Sequence, residues 1–373
     1  MRANNLTANF NIPPGPYFLS HSVGLLPVTA EAALTRDFFN PWAAGRSDLW
    51  PHWLAAIDAW RAALGPVIGA SPADICPQTN ISSALTKILF SLPGDARRQR
   101  IVLAEDDFPT AGFVLAQGAR LGLGPDFIAR GAPLADPDAW GPAFGDDVRL
   151  VHVTHIFSNR GVRAPVAETV ARAKAAGAIV IVDVAQSAGC VPVDCTGWGA
   201  DFVVGTSIKY LCGGPGAAFL WVNPAIAATL APADVGWFSH ENPFEFDIRN
   251  FVYASGAARF WGGTPSVAPY VMARAGAAEI GSAGVAAIEA HNQALLDQLI
   301  ARLPAEAIVS HAIHGERGSA LVVRPRELAA ARLALTEEAI AHDERMGGIR
   351  VSAHLYTDET DVDRLARVLE QFC

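Results

Sequence analysis

The sequence predicts an α/β fold, with a doubly wound, helix-covered sheet in a large domain and a smaller α+β domain after it. Short apolar runs alternate with helix-like stretches through the first two thirds of the chain. Those runs are continuously apolar rather than alternating, as a sheet covered on both faces demands. Between two of them, residues 167–176 read as a helix closed by Gly177, a natural residue just past a helix C-terminus. Strand, helix, strand in that order is the βαβ unit.

Taken in order, the buried strands fall at 101–104, 150–153, 179–182, 202–204 and 218–222. A Gly- and Pro-bearing stretch at 255–269 marks a change of character. A long helix follows over 284–303, then strands at 307–309, 319–323 and 349–351, and a closing helix over 358–372. The alanine-rich stretch 328–335 is good helix material. The predicted division is an N-terminal segment 1–30 packing with the small domain, a large domain 31–260 and a small domain 261–373. There is no internal repeat or low-complexity tract.

The 373 residues are 51% hydrophobic and 17% charged, which supplies a sizeable core and excludes disorder. Lys plus Arg number 28 against 37 Asp plus Glu, a net charge of −9 that disfavours nucleic acid as a partner. The five cysteines, at 76, 190, 195, 212 and 373, form no CxxC pair, so neither a disulfide framework nor a cysteine zinc site is expected. The opening residues 1–6 are polar and unlike a secretory leader, and no apolar run approaches a membrane span. These features read as a soluble, cytoplasmic protein. His152-x-x-His155 and His311-x-x-His314 lack a third ligand, so no metal is expected. There is no P-loop, GxSxG elbow or GxGxxG after the first strand.

Asp183 ends one buried strand, and Lys209 stands just past the next, at the sheet edge where open α/β folds bind ligands. Either alone could simply end a strand in solvent. As a pair they suit pyridoxal phosphate, whose aldehyde a lysine ties down and whose ring nitrogen an aspartate keeps protonated.

The segments around them resemble the class V aminotransferases, pyridoxal-phosphate enzymes of fold type I, and within these the kynureninase branch, nearly end to end. The resemblance rests on Asp183-Val184-Ala185-Gln186, on Ser207-Ile208-Lys209 and on the turn Gly213-Gly214-Pro215-Gly216. It extends to Tyr17-Phe18-Leu19-Ser20-His21-Ser22-Val23-Gly24, Phe108-Pro109-Thr110, Gly236-Trp237-Phe238-Ser239-His240-Glu241, Gly263-Thr264-Pro265 and Glu316-Arg317-Gly318. It implies a mostly parallel sheet of the seven-stranded type. Lys209 would be the cofactor-bearing lysine and Asp183 the ring-nitrogen partner. Phe108 would stack on the ring, and Gln186 and Ser207 would join the cofactor contacts. Thr79 and Asn80 would help cradle the phosphate at a helix starting near Ser82, although locally they also read as an ordinary helix cap. Trp237 would donate to the phosphate, and Thr264 would reach the phosphate of a neighbouring subunit, which implies a homodimer with shared sites. Arg350 would hold the carboxylate of a small amino-acid substrate, with a surface ion pair as its plainer role. His52 falls in a region where that branch places a substrate-contacting histidine, and Trp50, Trp53 and Trp60 form an apolar stripe suited to a core or dimer interface.

Three positions depart from the kynureninase pattern: Ile208 for a tyrosine, Gln186 for a histidine and Ala111 for an aspartate. A desulfurase would need a cysteine on the loop before Arg350, and none lies between Cys212 and Cys373. Cys212 itself reads as a small buried hydrophobe. The reading is a kynureninase-like enzyme, with an aminotransferase, lyase or epimerase on another amino acid, or a cofactor-binding homologue without turnover, as alternatives.

Overall fold

The computed structural model describes residues 7–373, so the polar stretch 1–6 and the start of the predicted N-terminal segment lie outside the described residues. Seven strands form the main sheet: β1 (Ile75–Gln78), β2 (Arg100–Ala104), β3 (Gly124–Ile128), β4 (Val148–Thr154), β5 (Ile179–Asp183), β6 (Phe202–Thr206) and β7 (Ala218–Val222). Their order is β1-β7-β6-β5-β4-β2-β3. Neighbours from β3 to β6 are parallel, and β7 alone runs against its two neighbours. The sheet is therefore mostly parallel, and the five continuous apolar runs are its β2, β4, β5, β6 and β7.

The two edge strands carried no such signal. β1 is four residues with a proline inside, and β3 is the largely exposed Gly-Pro-Asp-Phe-Ile. Proline belongs at edges, where the missing N–H costs no ladder bond.

Helices cover both faces. Val166–Ala175 stops where expected, with Gly177 at φ 79° turning the chain back into β5. The stripe Trp60, Val151, Val180, Val182 and Tyr270 fills one face, and Leu85, Ile88, Leu103, Leu150 and Ile181 fill the other. Each such side chain contributes about 1.5–3 kcal/mol when taken fully out of water. Gly205 on β6 is required by a close approach, since a Cβ there would sit 2.3 Å from the Phe219 ring across the β6–β7 ladder.

A second sheet, β8 (Ala320–Val323), β9 (Asp343–Arg345) and β10 (Gly348–Ser352), is antiparallel in the order β8-β10-β9. It packs on Leu295, Leu299 and Leu365. The expected strand at 307–309 is instead a 3-10 turn, Ala305–Ala307, followed by a single bridge between Ile308 and Val323. There the Ser310 hydroxyl takes the Val322 N–H, so a side chain replaces the next ladder partner. The long helix is Val285–Arg302, and a second helix, Ala268–Ala283, precedes it at an angle of 79° about Gly284. Its Gly- and Ala-rich sequence left no clear helical stripe to read. The closing helix is Glu359–Leu369, capped by the Asp358 side chain. No single helix among the described residues is long and apolar enough to cross a membrane.

An N-terminal strap ties the sheets together. The Phe18 N–H donates to Ala341, the Ser352 N–H donates to Phe18, and the Gly24 N–H donates to Ile208, beside Lys209.

Candidate active site

The parallel strands end at one edge. β2 leads into Asp107 and Phe108, β4 ends at Thr154, β5 at Asp183 and β6 at Thr206. A cavity of about 230 Å3 lies there, lined by Asn80, Phe108, Thr154, Asp183, Gln186 and Lys209 among others. It sits at the carboxyl ends of the strands, as open α/β sheets dictate.

The Lys209 ammonium has no hydrogen bond or ion pair among the described residues and lies 5.8 Å from the centre of the Phe108 ring. Burial pushes its pKa down to about 8; Asp183 opposes this, while the cations Arg350 and Arg345 add to it. The buried Asp183 carboxylate accepts one internal hydrogen bond, from the Ala185 N–H at 2.7 Å. Burial raises its pKa, against the charges of His152 and Lys209. Gln186 donates through Nε2 to the His21 carbonyl at 3.1 Å. The Ser207 hydroxyl is buried with no partner. Asn80 lines the cavity and caps helix Ile81–Leu89, its Oδ1 accepting from the Ser83 N–H at 2.8 Å. Thr79 turns its hydroxyl to that of Ser83, 3.3 Å away.

Arg350 lies on β10 with its side chain buried. It grips Asp343, with Nε donating to Oδ1 at 2.8 Å and Nη2 to Oδ2, while Nη1 donates to the Ser158 carbonyl at 3.2 Å. His21 completes the cluster, with Nε2 3.0 Å from Asp343 Oδ1 and Nδ1 2.9 Å from Ser352 Oγ. Burial pushes the His21 pKa down to about 4. Burial also raises Asp343, but hydrogen bonds from Arg350 and His21 outweigh it and hold the carboxyl well below its usual range.

Trp237 and Thr264 are not brought to the cavity. They meet each other instead, Trp237 Nε1 donating to Thr264 Oγ1 at 3.2 Å on the surface. Beside them Trp50 packs edge-on against Trp237 with ring centres 5.4 Å apart, whereas Trp60 is fully buried. His52 is 3.1 Å from the Asp37 carbonyl, and Cys212 is buried. His311 and His314 pair separately with Glu316 and Asp297.

Sequence reasoning missed His21 and Asp343. The second had a sequence signal, the glycine pair Gly347-Gly348, which favours a tight turn; in the structure Met346 and Gly347 have positive φ in a two-residue hairpin turn that sets Asp343 opposite Arg350 in the ladder.

The residues fit pyridoxal phosphate. An unpaired lysine and a once-bonded aspartate face one cavity, and a capped helix N-terminus opens onto it. Fold and site together define a pyridoxal-phosphate enzyme of fold type I.

The aminotransferase class-V family profile matches residues 132–365. The kynureninase of Deinococcus radiodurans is 31% identical, an alignment covering 98% of this chain and 92% of that one. An apo cysteine desulfurase from Thermococcus onnurineus NA1 superposes with TM-score 0.86 at 22% identity, covering 100% of this chain and 98% of that one. A C-DES variant with glycine covalently linked to its PLP cofactor superposes with TM-score 0.84 at 24% identity, covering 96% and 97%. The chain belongs to the class V aminotransferase family, as a kynureninase-like member.

Proposed function

We propose that the chain carries pyridoxal phosphate on Lys209 and acts on an α-amino acid whose carboxylate Arg350 holds, with L-kynurenine as the substrate to test first. The observation that carries this is the unpaired Lys209 ammonium sharing a cavity with the buried Asp183 carboxylate. The kynureninase relative, aligned over 98% of the chain, supports the choice of substrate. The bound cofactor supplies a covalent tether for the amino group and an electron sink for the bond broken at Cα.

The chain's own residues do the rest. Lys209, with a pKa near 8, takes and returns a proton at Nζ close to neutral pH. The Asp183 carboxylate holds the ring nitrogen in its protonated form. Phe108 offers an apolar platform, and Ser207, Asn80 and the N–H groups of helix Ile81–Leu89 bind polar groups of the cofactor. Asp343 holds the Arg350 fork in place, leaving Nη1 turned toward Ser158.

The Trp237–Thr264 pair sits on a surface that also exposes Phe244, Phe246 and Ile248. A homodimer in which this surface meets a second copy accounts for both the apolar exposure and the separation of the pair from its own cavity. The five free thiols fit a reducing, cytoplasmic setting.

Ile208 favours a second reading. Where the kynureninase pattern has a tyrosine able to deliver a proton, this chain has a hydrocarbon, which suits transamination, elimination or epimerisation of another amino acid.

The test is direct. Purified protein is expected to be yellow, and borohydride should bleach it and fix the cofactor on Lys209. Protein that stays colourless with added cofactor overturns the proposal. Anthranilate formed from L-kynurenine supports the first reading. A cofactor spectrum that responds to other amino acids, with no anthranilate, supports the second.

A further inference from the structure

A buried pair beside the cavity has no part in the reaction above. His152 lies on β4, fully buried, with Nδ1 3.1 Å from Asp107 Oδ2. Asp107 follows β2, and the same Oδ2 accepts the Ala104 N–H at 3.1 Å, so the carboxylate is fixed from both sides. The other imidazole nitrogen, Nε2, is buried with no hydrogen-bond partner, as is Asp107 Oδ1.

The ladder places this pair next to Asp183. β4 and β5 run parallel, with His152 opposite Ile181 and Thr154 opposite Asp183. Side chains two apart in a strand share a face, so His152 lies one pleat below Asp183 on the face that carries the cavity. Asp107 from the β2 connection and Asp183 from β5 are the charged groups that act on the ring. A second proton turns the ring into a cation facing two carboxylates. Burial opposes that charge, but the charge and hydrogen bond of Asp107, with the charge of Asp183, outweigh it and raise the pKa of His152 above its ordinary 6.5.

We propose that His152 is a positioning residue for Asp183: locked by Asp107, it carries the proton that keeps the Asp183 carboxylate ionised toward the cofactor's ring nitrogen. This rests on the reading of Asp183 as the ring-nitrogen partner. Two acidic side chains and one imidazolium leave a net negative charge, which a protonated pyridine ring neutralises. The cluster is thus matched to a cation on its open side.

The experiment is a pH titration of the full-length protein labelled with 15N-histidine, with and without pyridoxal phosphate, using His152→Gln to assign the ring signals. Both ring nitrogens of His152 are expected to be protonated at pH 7. In His152→Gln the affinity for pyridoxal phosphate is expected to fall about tenfold, with the pH below which binding fails moving up by about one unit. A residue that only fills space would leave that midpoint unmoved. Should His152→Gln fail to fold, Asp107→Asn is expected to return the ring to its neutral form and shift the midpoint the same way. A singly protonated His152 at pH 7 in the cofactor-loaded protein overturns this inference and leaves the assignment of Lys209 standing. Failure of the wild-type protein to take up the cofactor overturns the underlying reading of the site as well.

Discussion

Replacing Lys209 by methionine keeps the length of the side chain and removes its charge. In the cofactor-free protein the ammonium has no internal partner, and its pKa falls from 10.5 to about 8. That fall corresponds to about 3 kcal/mol by which the fold disfavours the charged form, or roughly 2–3 kcal/mol after allowing for water in the cavity. The sign follows from proton binding. Below pH 8 the lysine is protonated in both states, and the folded state bears the whole penalty. Between 8 and 10.5 only the unfolded chain holds the proton, so the stability of the wild type climbs with pH. Lys209→Met is therefore expected to be more stable than wild type by roughly 2–3 kcal/mol at pH 7, with the gap shrinking to about 1.4 kcal/mol at pH 9.5. Urea unfolding of both cofactor-free proteins at the two pH values measures it. A less stable Met variant, or a gap that ignores pH, refutes the reasoning. Such a gain would mean that the site is held at the expense of the fold, the usual trade at reactive positions.

Arg350→Lys replaces a planar fork with a point charge, so kcat/KM for the amino-acid substrate is expected to fall by about 10- to 100-fold, mostly in KM, with the cofactor spectrum unchanged. Steady-state kinetics with matched spectra check it. Gly205→Ala sets a methyl against the Phe219 ring, and a loss of about 1–3 kcal/mol in unfolding free energy, read from urea titration, is expected together with weaker cofactor uptake. His155 and His354 are buried, and burial pushes each pKa down to about 3, against about 6.5 unfolded. The unfolded chain thus takes protons first, and stability is expected to fall by about 1.4 kcal/mol per pH unit and per ring as pH drops below 6.5. Unfolding at pH 7 and pH 5 checks it, and a flat profile contradicts it.

The central strands were legible because they are buried on both faces and therefore apolar without a break. The edge strands β1 and β3 were not: β1, though buried, is only four residues long with a proline and a glutamine among them, and β3 is largely exposed, so neither shows a continuous apolar run. Asp183 and Lys209 stood out as charges at the ends of apolar runs. His21 and Asp343 had no such contrast; they matter only because the strap and the β9–β10 hairpin bring them to Arg350. The motif around Trp237 was visible, yet no local signal told that its indole would lie on the surface beside Thr264. The helix at Ala268–Ala283 hid because glycine and alanine carry too little hydrophobic contrast to mark a face.

The strap that joins Phe18 to the small sheet and Gly24 to the Lys209 segment has a consequence for biosynthesis. His21 leaves the ribosome early and Arg350 near the end, so the His21–Asp343–Arg350 cluster forms only when the two ends of the chain have met around the finished main sheet. Contacts this distant in sequence form late and slowly. Completion of that cluster should therefore lag behind the recovery of helical signal during refolding. A nascent chain lacking β10 would hold the cavity residues from Asn80 to Lys209 but not the Arg350 cluster.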